Sequence, residues 1–111
     1  MFTRKLSFTK PTYPKAIAMG ITEFPYVERN SNGQTTYCER YGGSWYKQEY
    51  DSNNNRIYGE NSDGYWSRAE FDSTGNQTYF EDSDGYWEKW EYDSTGKRIY
   101  YENSNGYIIR N

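Results

Sequence analysis

The stretch Tyr86-Trp87-Glu88-Lys89-Trp90-Glu91-Tyr92-Asp93-Ser94-Thr95-Gly96 decides the fold. Its first part, rich in Tyr and Trp, suits a β-strand, where large rings pack across neighbouring strands. The run stops at Asp93, whose side chain can bond the backbone two residues on, and at Gly96, which accepts positive φ. That pairing reads as a type I turn followed by a left-handed Gly, a common hairpin connection. The chain then returns as a second strand, Lys97-Arg98-Ile99-Tyr100-Tyr101-Glu102.

The same pattern recurs every 21 residues. Glu28, Glu49, Glu70 and Glu91 hold that spacing, as do Tyr37, Tyr58, Tyr79 and Tyr100, and Gly43, Gly64, Gly85 and Gly106. Trp45, Trp66 and Trp87 follow it too. Four units result, 28–48, 49–69, 70–90 and 91–111, with residues 1–27 as a separate leading segment. Each unit carries two turn signals. One is Asn30–Gly33, Asp51–Asn54, Asp72–Gly75 and Asp93–Gly96; the other is Asn61–Gly64, Asp82–Gly85 and Asn103–Gly106, with Arg40–Gly43 as a degenerate copy. Turns every 10 or 11 residues predict an all-β protein, an antiparallel meander of about nine strands in a single twisted sheet.

An odd period constrains the pairing, because side chains alternate faces with period two. Equivalent residues stay on one face only if the two loops of a unit differ in parity or each unit holds a bulge. Face one then carries Trp66, Arg68, Glu70, Gln77, Tyr79, Glu81, Trp87, Lys89, Glu91, Arg98, Tyr100 and Glu102. Its expected neighbours are Trp with Glu, Lys or Arg with Tyr, and Glu91 with Arg98. Face two carries Tyr50, Ile57, Ala69, Phe71, Thr78, Phe80, Trp90, Tyr92, Ile99 and Tyr101, joined by Tyr65, Tyr86 and Tyr107. As the more apolar of the two, face two is expected to be the buried one.

Composition narrows the rest. Of 111 residues, 33% are hydrophobic and 21% aromatic, with 14 Tyr, so any core must be built from rings rather than from Leu, Ile and Val. The repeats hold 15 acidic and 9 basic residues; the leading segment holds 1 and 4, which gives it the opposite sign and favours its docking on the array. Within the leading segment, Lys15–Gly20 suggests a short helix ending on Gly; the alternative reading is that residues 4–9 add a strand. Leu6, Phe8, Ile17, Met19, Ile21 and Phe24 are candidates to cover part of face two.

Gly85 through Ile99, with its Trp90-Glu91-Tyr92-Asp93 step and Gly96-Lys97, resembles a YD repeat of the Rhs type. Phe71-Asp72 and Tyr50-Asp51 repeat the step, and Tyr100 through Gly106 is similar to MORN-type hairpin repeats. The resemblance implies tandem β-hairpins. Rhs repeats wind into closed shells; four units cannot close one, so the encapsulating role does not carry over.

For chemistry, the chain has no His, the commonest general base and metal ligand, and its single Cys38 cannot form an internal disulfide. Every Glu in the ladder has equivalents, whereas an acid–base pair needs two carboxylates in unlike environments. Asp51-Ser52-Asn53-Asn54-Asn55 offers oxygen ligands at calcium-loop spacing, but Arg56 stands where such a loop needs Gly and Ser62 where it needs Glu. The expectation is therefore no enzyme, no cofactor and no metal. Nucleic acid is disfavoured, since a strand binder needs a positive groove and the array is net acidic. No apolar run reaches membrane-spanning length, and Met1 through Lys5 lacks the apolar stretch of a secretion signal, so a cytoplasmic chain is expected.

What remains is binding. The expected function is a non-catalytic protein-binding module: a small intracellular inhibitor, phage-encoded and anti-CRISPR-like by analogy, acting on a bacterial protein. The alternatives are a carbohydrate- or cell-wall-binding aromatic repeat and a structural fragment of a YD-repeat shell. Trp45, Trp66, Trp87, Tyr37, Tyr58, Tyr79 and Tyr100 are the candidate partner-binding residues. Trp90, Phe71, Phe80, Tyr92 and Tyr101 are candidates for self-association into a homodimer, because a bare aromatic face is unusual on a monomer.

Overall fold

In the computed structural model, which describes residues 14–111, nine strands follow one another across a single antiparallel sheet in strict sequence order. They are β1 (Tyr26–Arg29), β2 (Thr35–Glu39), β3 (Trp45–Tyr50), β4 (Arg56–Asn61), β5 (Trp66–Phe71), β6 (Gln77–Asp82), β7 (Trp87–Tyr92), β8 (Arg98–Asn103) and β9 (Ile108–Arg110). A one-turn helix, α1 (Lys15–Ala18), precedes them. The sheet is not closed into a barrel: β1 and β9 are its two edges. The radius of gyration is 17.0 Å, against about 13 Å for a compact chain of this length, so the array is elongated.

The turns form as their residues dictate. Gly75 donates its backbone N–H to the Asp72 carbonyl at 3.0 Å, Asp72 N–H bonds the Asn76 carbonyl at 2.9 Å, and the Asp72 carboxylate accepts the N–H groups of Thr74 and Asn76. Gly75 has φ 91° and Asn54, standing in for Gly in the second unit, has φ 69°. In the second row of turns a serine adds a clasp. Trp66 donates its N–H to Ser83 Oγ at 3.0 Å while Ser83 N–H bonds the Trp66 carbonyl at 2.9 Å. Trp45 with Ser62 and Trp87 with Ser104 repeat this.

The parity problem is solved by one register shift per unit. Glu49 pairs with Tyr58 but Tyr50 pairs with Arg56, which leaves Ile57 as the extra residue; Thr36, Thr78 and Ile99 are its equivalents. Face one then aligns as expected: Glu81 pairs with Trp87, Tyr79 with Lys89, and Tyr58 with Arg68.

Two expectations about the faces are corrected. Glu91 lies opposite Tyr100, and Arg98 lies opposite Tyr92 instead, as Gln77 lies opposite Phe71, because in each unit the shift falls between them. The bulge swings Arg98 across face two, where its guanidinium sits 5.6 Å from the Tyr101 ring centroid. Second, burial is not confined to face two: Cys38, Gly59 and Ser67 are buried there, but face one holds as many buried strand residues. Glu39, Tyr37 and Tyr58, the strand residues with the least exposure at 0%, 3% and 2%, all belong to face one. With a single layer there is no opposing sheet, so local cover decides burial rather than mean apolarity.

That cover includes α1. It docks on face one, not face two: Ala16 N–H and Ile17 N–H bond the Glu39 carboxylate, Lys15 N–H bonds the Tyr37 hydroxyl oxygen, and Lys15 Nζ reaches Glu28 at 2.7 Å. Ile17 and Met19 are exposed, and Phe24 packs edge-on against Tyr41. The helix ends as expected, with Gly20 at φ 79°. The alternative strand over 4–9, with Leu6 and Phe8, lies outside the described residues.

Candidate functional site

The candidate partner-binding residues all fall on face one, in two rows. Tyr37, Tyr58, Tyr79 and Tyr100 each donate a phenol hydrogen bond to the Glu two residues on, at 2.8, 3.2, 2.9 and 2.7 Å. Trp45 stacks on Tyr37 and Trp66 on Tyr58, with ring centroids 6.2 and 6.4 Å apart. Lys89 lies over Trp87, Arg68 over Tyr79 and Arg110 over Tyr100. Burial, followed by the hydrogen bond to Glu81, pushes the Tyr79 phenol up to about 12. These rings and charges already satisfy one another, and they recur in unit after unit because neighbouring hairpins need them.

Face two differs from unit to unit. Its central cross-strand pairs are Cys38–Tyr46, Gly59–Ser67, Phe80–Glu88 and Tyr101–Ile109. The Gly59–Ser67 pair is the smallest, and it leaves a notch. Tyr46, Arg56, Gly59, Tyr65, Ser67 and Phe80 line a depression of about 590 Å³, and a second of about 350 Å³ adjoins it over Ala69 and Phe71. The Arg56 side chain lies across Gly59, so that any Cβ there would collide with its guanidinium. Among the described residues that guanidinium makes no ion pair or hydrogen bond.

Toward the C-terminal edge the same face carries a half-buried aromatic cluster. The Trp90 and Tyr101 rings are 5.7 Å apart, and Tyr107 meets Tyr101 edge-on at 6.1 Å. Glu88 ties the cluster, accepting the Tyr101 hydroxyl at 2.6 Å and the Tyr86 hydroxyl at 3.0 Å. Asn103 donates to the Tyr101 oxygen at 3.1 Å. The contact with the Tyr101 hydroxyl, then burial and Glu88, raises the Tyr86 phenol well above its ordinary value. Of the self-association candidates, Trp90 and Tyr101 belong to this cluster, Phe80 lines both depressions, Phe71 lines the smaller one, and Tyr92 donates to the Gln77 carbonyl at 2.9 Å.

Compared with known proteins, the chain matches no family model and no curated sequence. The likeness to YD repeats therefore rests on its motif alone. Among the described residues no group of acidic, Cys or His side chains is arranged to hold a metal, and no helix is long and apolar enough to cross a membrane. Asp51 of the calcium-like stretch directs Oδ1 to the N–H groups of Asn53 and Asn55.

Sequence reasoning did not single out Arg56, Gly59, Ser67 or Glu88. A signal was present for three of them: Gly59 stands where Phe80 and Tyr101 stand, and Ser67 and Glu88 stand where Tyr46 and Ile109 stand, whereas Arg56 has Arg98 as an equivalent.

Proposed function

We propose that the chain is a non-catalytic protein-binding module whose recognition surface is face two. The observation that carries this is the split between the faces. Face one repeats and is internally satisfied, which is what the array needs in order to stand. Face two is variable, aromatic, and holds an uncompensated guanidinium beside a notch. Aromatic rings and Arg are the side chains that anchor protein interfaces. An inhibitor of a bacterial protein, as expected from the sequence, is one form of such a module: it works by covering a partner's surface. Tyr, Phe and Arg set around a depression also suit protein contacts better than a flat row of rings, which is what sugar stacking uses.

The test is affinity capture from the lysate of a bacterial host, with three baits: the unmodified chain, Phe80→Ser on face two and Trp87→Ser on face one. Both variants are first checked for an unchanged far-ultraviolet spectrum. The expected result is a protein retained by the unmodified chain and by Trp87→Ser but lost by Phe80→Ser. Loss with Trp87→Ser alone would move recognition to the face-one ladder. Saturable binding to a polysaccharide in place of a protein would overturn the proposal.

A further inference from the structure

We infer that the notch of face two is a carboxylate-binding site, in which Arg56, Arg40 and Ser67 take an acidic side chain from a segment of the partner protein. The inference rests on reading face two as the recognition surface, and it names the chemistry which that surface recognises.

Donors without acceptors carry it. Arg56 and Arg98 hold equivalent repeat positions, and each lies over the residue three places on. Arg98 meets the Tyr101 ring there, 5.6 Å from its guanidinium. Arg56 meets Gly59, so its guanidinium has no ring beneath it. Arg40 reaches the same depression from the turn between β2 and β3, with the Tyr46 ring centroid 5.6 Å away. It stands where the other units have Asn61, Asp82 and Asn103, each of which bonds an N–H of its own turn. Arg cannot make that bond, because it has no acceptor; what it adds is a second cation at the depression. Among the described residues neither guanidinium makes an ion pair or a hydrogen bond. Ser67 lines both depressions and is only 8% exposed, yet its hydroxyl has no hydrogen-bond partner among the described residues either. One buried hydroxyl and two guanidiniums around one space lack only an acceptor.

The surroundings select the ligand. Tyr46, Tyr65 and Phe80 border the depression, whose volume of about 590 Å³ is that of a small-ligand site. Rings at that place exclude water and so strengthen an ion pair formed there. The carboxylates nearby are engaged elsewhere. Asp82 accepts the Tyr65 hydroxyl and the N–H groups of Asp84 and Tyr86, and Glu60 accepts the Tyr58 hydroxyl. Asp63 borders the depression from an exposed turn, and Lys47 pairs with Glu49. With these acids at hand, a doubly charged phosphate meets more repulsion than a singly charged carboxylate does. The array as a whole, with 15 acidic and 9 basic residues, repels a long polyanion. An acidic side chain with an apolar neighbour to rest on Phe80 fits both the donors and the rings.

The experiment follows backbone amide shifts of the full isotope-labelled chain on titration with capped tripeptides, each to about 5 mM. The tripeptides are Glu-Phe-Glu, Gln-Phe-Gln and the counterpart with phosphoserine in place of Glu. Glu-Phe-Glu should give saturable shifts centred on Gly59 and Ser67, the phosphoserine peptide weaker ones, and Gln-Phe-Gln none. Three variants each install a residue that another unit already carries at that position, so the fold tolerates them: Arg56→Gln, as at Gln77; Arg40→Asn, as at Asn61; and Gly59→Tyr, as at Tyr101. The last keeps every charge but gives Arg56 a ring to lie on. Each should weaken Glu-Phe-Glu by about tenfold or more with the β7–β9 amide shifts unchanged, and Arg98→Gln should leave binding as it was. Absence of saturable shifts with Glu-Phe-Glu overturns the inference. So do equal shifts with Gln-Phe-Gln, tighter binding of the phosphoserine peptide, or affinity that survives both Arg56→Gln and Gly59→Tyr. If it is overturned while lysate capture is still lost by Phe80→Ser, face two stands as a recognition surface for a different chemistry. If capture does not depend on Phe80 either, both fall.

Discussion

The Glu39 carboxylate receives the backbone N–H of Ala16 at 2.6 Å, and both residues are fully buried. Ile17 N–H and the Tyr37 hydroxyl also donate to it. One side chain thus anchors α1 to the first hairpin. Glu39→Ala leaves three donors in a buried place without an acceptor and should cost about 2–4 kcal/mol. Glu39→Gln keeps one acceptor oxygen and should cost less. Urea denaturation of both variants checks this; equal midpoints for Glu39→Ala and the unmodified chain would show that α1 contributes nothing to the sheet.

Gly85 separates backbone strain from crowding. Its φ is 87°, and nothing lies within 4 Å of where a Cβ would stand. Gly85→Val therefore acts through the left-handed backbone alone, and a loss of roughly 1–2 kcal/mol is expected. Gly75 and Gly96, at φ 91° and 88° in equally open space, should behave alike. A melting curve unchanged by Gly85→Val would remove the turn assignment.

The serine clasp predicts a local effect. Trp66 N–H bonds Ser83 Oγ, a hydroxyl standing in for a strand carbonyl that the turn has rotated away. Ser83→Ala should cost about 0.5–1.5 kcal/mol, the net worth of one hydrogen bond. Amide exchange should quicken at Trp66 and stay slow at Glu88, deep in the next ladder. Uniform quickening across β5–β7 would mean that the hydroxyl holds the whole array rather than one strand end.

Much of this architecture was legible because a repeat supplies its own controls. The Asx-to-Gly spacing gave the turns, and the odd period demanded one irregularity per unit, found at Thr36, Ile57, Thr78 and Ile99. Where that irregularity falls was not legible. It depends on backbone geometry beside the turn, and so Arg98 was assigned to the wrong face. Burial misled for a different reason. Counting apolar residues selects the face that would be covered if a second layer existed, whereas Tyr37 and Glu39 are buried by α1, whose docking uses three backbone N–H groups that carry no side-chain signature, with the Lys15–Glu28 ion pair beside them. The notch shows the converse. Gly59 and Ser67 look like weak repeat positions in the sequence, and only their pairing across β4 and β5 turns two small residues into one depression.

The phenols predict how stability responds to alkali. Burial and then Glu81 push Tyr79 up to about 12, Glu102 and then burial raise Tyr100, and the contact with Tyr101 raises Tyr86. A phenol in the unfolded chain ionises near 10. Because the folded-state values lie higher, the folded protein holds these protons more tightly than the unfolded chain does. Their contribution is complete below pH 10 and is lost as the pH climbs from 10 through about 12. The turn aspartates act at the opposite end. The backbone N–H of Asn76 and the Thr74 hydroxyl hold Asp72 below its ordinary value, and the Thr95 hydroxyl does so for Asp93, so their contribution is present above about pH 4 and fades as the pH falls further. Urea midpoints should therefore be flat near neutrality and decline on both sides. On the alkaline side the decline should coincide with phenolate absorbance appearing above the ordinary tyrosine range, and Tyr79→Phe should make it shallower. Tyrosines that all ionise near 10 in the folded protein, with no loss of stability between pH 10 and 12, would show that the Tyr–Glu ladder of face one is an exposed ornament of the sheet and not one of the interactions that hold it together.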